Sequence, residues 1–160
     1  MLLEIINLKT YFRVNGIKDA KAVNGVSFQL DEGKTLALVG ESGCGKTQTA
    51  FSIIRLLAEN SYHPSGEIFF KGNNLMSFSE DKMRKIRGNE IGMIFQEPMT
   101  SLNPLYRIGN QLEEPLRFHQ KLAKGLARKK AIELLDRVGI PDPEKRIDSF
   151  PHELSGGMKQ

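Results

Sequence analysis

Two hydrophobic periods divide the chain. Early on, Val26, Phe28 and Leu30 alternate with Ser27 and Gln29, the period of two expected of a strand with one buried face. Leu2–Leu8 is a second, apolar-rich strand candidate. After the turn Asp31-Glu32-Gly33, the apolar run Thr35–Val39 closes on Gly40, the pattern of a strand covered on both faces. The period then changes. Ala50, Ile53, Ile54 and Leu57 recur at i, i+3, i+4, i+7 and predict an amphipathic helix. Gly66–Lys71 and Ile91–Phe95 read as two more strands, on either side of a basic helix around Asp81–Arg87. The second half is helical in pattern. Ala127, Ala131, Leu134, Leu135 and Val138 form one stripe, which Gly139 and Pro141 end. The change near Met99–Pro104 predicts a mixed strand and helix region over 1–98, a helical region over 99–153, and the start of a further helix over 154–160.

The junction between the run Thr35–Val39 and the helix after it carries chemistry. Gly40-Glu41-Ser42-Gly43-Cys44-Gly45-Lys46-Thr47 fits the phosphate-loop pattern G-x-x-x-x-G-K-[ST] without a gap. Glycine lets the backbone turn where a β-carbon would clash, so that successive N–H groups can point at one phosphate. The helix that opens near Gly45 adds its positive end. Lys46 brings a full charge to the phosphates, and the Thr47 hydroxyl can ligate Mg²⁺. Gln48 follows in the first turn. Cys44 is expected to be a small residue that the loop tolerates, because the sequence puts no activating base beside it.

A phosphate loop serves kinases, GTPases and transporters alike, and two further stretches choose among them. Leu154-Ser155-Gly156-Gly157-Met158-Lys159-Gln160 offers a serine hydroxyl and two side-chain-free N–H groups at a helix start, a second anion site. Between it and the loop, Gln96 ends the run of MIFQEP. In this order the three resemble the ATP-binding-cassette (ABC) ATPases with their LSGGQ-type signature. VGESGCGKTQTA, IRGNEIGMIFQEPMTSLNP and FPHELSGGMKQ look like the dipeptide and oligopeptide importers of that family, a group that also holds nickel and glutathione importers; the likeness runs from Leu3 to Gln160.

The resemblance implies an α/β fold: a P-loop NTPase (RecA-like) core with an antiparallel β subdomain and an ABC α-helical subdomain. It implies ATP and Mg²⁺ as cofactors, with Lys46 and Gln96 catalytic and Thr47 and Gln96 toward the metal. An aromatic stacks on adenine, with Tyr11 preferred to Phe12. Ser155, Gly156 and Gly157 would close over the nucleotide of a second ATPase subunit, so Lys46 and Ser155 would serve different ATP molecules. The segment after Gln96 would lie against transmembrane permease subunits, with an extracytoplasmic substrate-binding protein acting indirectly. The location implied is peripheral, on the cytoplasmic side of the cell membrane. The sequence also departs from the family. Thr47 stands where serine is commoner, and no apolar strand after Gln96 ends in an acidic pair. The Walker B strand, D-loop and switch histidine are therefore expected to be missing, and the core sheet short of strands, with Thr35–Val39 poorly covered. Residues 1–160 alone are expected not to hydrolyse ATP, and a nucleotide-binding remnant is the alternative reading.

Composition narrows the partners. At 39% hydrophobic and 26% charged residues the chain has the balance of a globular protein. No apolar run approaches the roughly 18 residues of a membrane span. MLLEIINLKT contains Glu4 and lacks a basic n-region, unlike a secretory signal. The single cysteine suits a reducing compartment. The net charge of +4 is concentrated in Lys121, Lys124, Arg128, Lys129 and Lys130, which reads as the wet face of a helix. DNA-repair cassettes insert coiled coils or zinc modules between the glutamine and the signature. Here only 59 positions separate Gln96 from Ser155, so no nucleic-acid partner is expected.

Overall fold

A computed structural model describes residues 1–14, 18–96 and 101–160. In chain order the strands and helices are β1 (Leu3–Phe12), β2 (Ala20–Leu30), α1 (Lys46–Ile53), β3 (Ser61–Tyr62), β4 (Glu67–Phe70), β5 (Asn73–Asn74), α2 (Glu80–Ile86), α3 (Ile108–Gln120), α4 (Lys124–Arg137), α5 (Pro143–Arg146) and α6 (Gly156–Lys159). They fall into two units, Met1–Arg87 and Gly88–Gln160.

In the first unit β1 is the hub. It pairs antiparallel with β2, β4 and, at its far end, β3, while β5 joins β4. Leu3, Ile5, Leu8 and Thr10 of β1 are buried. A strict period of two would have buried Asn7 instead. A register shift between Ile5 and Leu8, with Asn7 at φ +46°, moves the buried face by one residue and returns Leu8 to the core. Val26, Phe28 and Leu30 of β2 alternate between half-buried and exposed neighbours, as their pattern predicts. Helix α2 forms where expected. Ser79 caps it by accepting from the Lys82 N–H, and Met83 and Ile86 are its buried side.

Helix α1 packs on β1 and β2, and the expected stripe is only part of the contact: Ile54, its C-cap, is buried in the core. Within the helix the buried residues are Thr49 and Ser52; Ala50 and Ile53 are half-buried, and the helix stops before Leu57. Small polar residues let the helix approach the sheet where the larger ones would hold it off.

The strands expected at Thr35–Val39 and Ile91–Phe95 do not form. Apart from an isolated bridge residue at Ile91, both segments are irregular. Val39 and Ile94 are more than nine-tenths exposed. A strand buried on both faces needs a ladder partner on each side. The sheet of the described residues is wholly antiparallel, runs β2-β1-β4-β5 with β3 off β1, and includes neither segment.

The second unit is helical. Ile108, Leu116, Ala127, Ala131, Leu135, Ile147 and Leu154 form its core. Of the predicted stripe of α4, Ala127, Ala131 and Leu135 are buried, whereas Leu134 and Val138 face solvent. Gly109 of α3 lies so close to Ile147 that an added Cβ would stand 2.8 Å from both Ile147 Cγ1 and the Ile147 carbonyl oxygen. Glu113, nearly buried on α3, faces Arg128 at 3.8 Å, and Arg128 also binds Asp148 at 2.7 Å. That contact holds the Asp148 carboxyl below the usual carboxylate range. Among the described residues no helix is long and apolar enough to cross a membrane.

Candidate functional site

The loop before α1 closes on itself. Cys44 N–H donates to the Glu41 carbonyl at 3.3 Å. Lys46, first residue of the helix, folds its ammonium back to the carbonyls of Gly40 and Glu41 at 2.8 and 2.7 Å. Its charge is thereby held over the loop instead of trailing into solvent. Cys44 Sγ fills the space beside Gly40, where a Cβ would meet it at 2.7 Å. The cysteine is exposed and serves the loop by its size.

Gly45 decides where the loop sits. Its φ is +98°, a region that side chains rarely enter, and a Cβ there would lie 2.2 Å from the Ala22 carbonyl oxygen of β2. The start of α1 is therefore pressed directly against a sheet backbone. The hydroxyl of Thr47 is exposed, and among the described residues it makes no hydrogen bond; Gln48 beside it is half-buried. Glu41 and Ser42 are exposed, and Gly43, at φ +80°, makes the turn between them and Cys44.

The same stretch of β2 reaches Tyr11. Lys21, next to Ala22, is the register partner of Tyr11 on one side, and Tyr62 is its partner on the other. Lys21 Nζ lies 5.6 Å from the Tyr11 ring centroid. The two tyrosines meet edge to face at 5.9 Å, and the Tyr11 hydroxyl donates to Asn24 Oδ1 at 2.7 Å. Tyr62 in turn donates to the Asp19 carboxylate, which raises its phenol pKa. Tyr11 is thus an oriented, half-buried ring in a short cationic and aromatic row, within one residue of the backbone that touches Gly45. The sequence points to Tyr11 but not to Lys21, Asn24 or Tyr62. Strand pairing brings these together from positions far apart in the chain, and no local pattern marks them.

The second unit carries the remaining candidates. Gln96 is exposed, in the irregular segment that follows Ile91. Ser155 is the N-cap of α6, its Oγ accepting from the Met158 N–H at 3.3 Å, and Gly156 and Gly157 make the first turn. Buried Leu154 anchors this turn to the helical core. Elsewhere in the unit, Ser101–Asn103, Tyr106 and residues of α3 line a groove of about 1010 Å³ that includes Leu102, Phe118 and Lys121.

Known proteins give this geometry a context. The oligopeptide transport ATP-binding protein OppD of Bacillus subtilis is 51% identical over 160 residues, covering 99% of this chain and 44% of that protein. The dipeptide transport ATP-binding protein DppD of Lactococcus lactis is likewise 51% identical over 160 residues, covering 99% of this chain and 46% of its own length. The chain thus spans a little under half of these relatives. Among solved structures, the dimeric ATP-binding cassette MJ0796 bound to ADP and Pi superposes with a TM-score of 0.82 at 24% identity, covering 99% of this chain and 65% of that one. The family model described as ABC transporter matches residues 23–160, from β2 through the loop to the signature turn. A glycine-closed loop, an antiparallel sheet with α1 against it, and a helical unit with the Ser155-capped turn all lie on that cassette fold, and the chain belongs to the ABC transporter family.

Proposed function

We propose that this chain supplies the ATP site of an ABC importer that takes up di- or oligopeptides. The observation that carries the reading is the loop itself: Lys46 held over its carbonyls, at the start of a helix whose N-terminus is pressed on β2 beside the Tyr11 row. The cradle fits a nucleotide phosphate. Gly40 and Gly45 leave room only for backbone, and the positive N-terminal end of an eight-residue helix favours an anion. Gly40, Glu41, Ser42, Gly43, Cys44, Gly45 and Gln48 would line the triphosphate, and Lys46 would neutralise it. Tyr11 would stack on adenine. Mg²⁺, when bound, would offset phosphate charge; the exposed Thr47 hydroxyl suits it, with Gln96 as the further oxygen donor. Lys46 and Gln96 are the residues we assign to hydrolysis, one stabilising phosphate charge and the other orienting water.

Ser155, Gly156 and Gly157 would meet the nucleotide of a second ATPase subunit. The MJ0796 cassette is itself dimeric, which supports this pairing. We place the functional boundary at 98/99, with the helical segment 99–153 turned to the permease. Its groove, with Leu102 in the lining and Tyr106 and Phe118 exposed, has the apolar character that a helix from such a subunit would cover. The subunit would then work peripherally on the cytoplasmic side of the membrane, served by an extracytoplasmic binding protein and no nucleic acid. Peptide cargo is favoured by the names of the relatives, oligopeptide and dipeptide transport proteins.

Lys46→Ala tests the site. Loss of one charge-assisted contact, about 1.5–3 kcal/mol, weakens binding of fluorescent ATP by roughly ten- to a hundredfold. Unchanged affinity in that titration would refute the assignment.

A further inference from the structure

Helix α1 carries the loop, and beside the buried apolar Ile54 at its C-cap its most deeply buried side chains are polar. Its buried residues are Thr49 and Ser52. The Thr49 hydroxyl is spent inside the turn, on the Gly45 carbonyl at 3.0 Å. Ser52 reaches across to the sheet: its Oγ lies 2.8 Å from Thr10 Oγ1 of β1, and both side chains are fully buried. The protons of this contact can be assigned. Ser52 donates to the Gln48 carbonyl at 2.6 Å, so Thr10 must donate to Ser52. His63 Nδ1 stands 3.1 Å from both the Lys9 carbonyl and Thr10 Oγ1. A carbonyl only accepts, so Nδ1 carries the proton, and Thr10 can share it. The bonds all run one way, from His63 to Thr10 to Ser52 to the Gln48 carbonyl that ends the chain as acceptor.

We infer that this chain of hydrogen bonds is a positioning element for nucleotide binding: it sets the height and rotation of α1 on β1, and so the place of Lys46 and Thr47 relative to Tyr11. The inference rests on the reading of Gly40–Thr47 as an ATP site. The physical case is directionality. The apolar contacts of Ala50, Ile53 and buried Ile54 have no preferred direction, whereas a buried, saturated hydrogen bond has one good geometry. Its anchor on the sheet, Thr10, adjoins Tyr11, so one strand holds the proposed base platform and the support of the phosphate loop. His63 adds a condition. From β1 the ring meets the Lys9 carbonyl and the Thr10 hydroxyl, and Arg55, just past α1, is the charge that bears on it. Half-burial, with Arg55 assisting against the Lys9 carbonyl, holds the imidazole below the usual histidine range. Protonation would drive the ring toward water and free Thr10.

The experiment is a titration of the intact protein with a fluorescent ATP analogue, with thermal melts in parallel. Ser52→Ala and Thr10→Val each weaken binding by roughly three- to tenfold, and the double variant is no worse than the weaker-binding single one. Ser52→Thr, which keeps the hydroxyl, restores affinity. Between pH 7.5 and 5.5 the wild type loses affinity relative to His63→Asn, which keeps a donor but cannot charge; that comparison removes the titration of ATP itself. Variants that melt earlier but bind within twofold of wild type while folded would make the contact structural only and overturn the inference. Should Ser52→Ala fail to fold, the pH comparison decides, and parallel profiles for wild type and His63→Asn count against it. A wild type that binds no analogue overturns the reading of the loop instead, and this inference with it.

Discussion

Gly45→Ala is the sharpest perturbation of the proposed site, because a single methyl meets backbone instead of a side chain that could move. The added carbon would start 2.2 Å from the Ala22 carbonyl oxygen, and real contacts of this kind stay beyond 3.0 Å. The loop and the start of α1 must therefore retreat from β2 by about 0.8 Å or tilt. Alanine must also accept φ +98°, outside even the left-handed well. Backbone strain of this kind costs about 1–3 kcal/mol, and overpacking a closed site costs a similar amount. Partial relaxation would leave a net loss of about 2–4 kcal/mol in folding stability. The functional loss is separable, since a displacement near 1 Å in a positioned site can cost up to about a hundredfold. We expect ATP affinity to fall at least tenfold in protein that is still folded, measured by analogue titration beside a urea melt. Gly43→Ala is the control. It too has a positive φ, +80°, but no atom lies within 4 Å of the added carbon, so it reports strain without the clash. If Gly45→Ala keeps its affinity and stability, or does no more harm than Gly43→Ala, the contact with Ala22 does not position the loop and the reasoning fails.

Other outcomes follow from the same geometry. Tyr11→Ala weakens ATP binding about tenfold, whereas Tyr11→Phe, which loses only the Asn24 hydrogen bond, stays within about threefold; equal losses in a titration would reject stacking. Gly109→Ala destabilises the helical unit by about 1–3 kcal/mol, because the methyl meets the Ile147 backbone, and a guanidinium melt without that shift would contradict the packing. Arg128→Ala leaves the nearly buried Glu113 without its ion pair and costs about 1–2 kcal/mol by the same measurement. It also returns Asp148 toward the ordinary carboxylate range. Because Asp148 is depressed in the folded chain, its ion pair contributes above the unfolded carboxylate pKa and is lost as pH falls through the folded value, so the variant should flatten the acid limb of a stability-against-pH curve.

What is legible in the sequence is what local chemistry dictates. The loop can be read because glycine, lysine and threonine at fixed spacing have few other uses, and Ser155 can be read as a cap because a hydroxyl before two glycines opens a helix. The alternation of β2 and the existence of α2 are also local facts. Thr35–Val39 misleads because an apolar run records a capacity for burial and says nothing of neighbours. The buried side of α1 misleads for the opposite reason. Thr49 and Ser52 look like surface residues, but their small size permits an approach that Ile53 would prevent, and hydrogen bonds to Gly45, Gln48 and Thr10 satisfy them. The row Lys21–Tyr11–Tyr62 lies out of reach because strand register assembles it.

The unexpected side of α1 has a consequence for the site. A nucleotide-binding fold must hold two things at a fixed separation: a surface for the base and a cradle for the phosphates. In the proposed site the first is on β1 and the second heads α1. An apolar helix-to-sheet contact is stronger per unit area but tolerant of sliding, since dispersion has no preferred direction. This chain adds to its apolar packing two less tolerant contacts between α1 and the sheet, Gly45 against the Ala22 carbonyl of β2 at one end of α1 and the buried Ser52–Thr10 hydroxyl pair on β1 near the other. Two such fixed points, one at Gly45 and one at Ser52, remove both translation along the helix axis and rotation about it. Either point alone leaves one of these motions open. The expected result is that Gly45→Ala and Ser52→Ala together cost more ATP affinity than the sum of their separate effects in free energy. Strict additivity in a double-mutant cycle would mean that each contact acts locally and that α1 is positioned by something else.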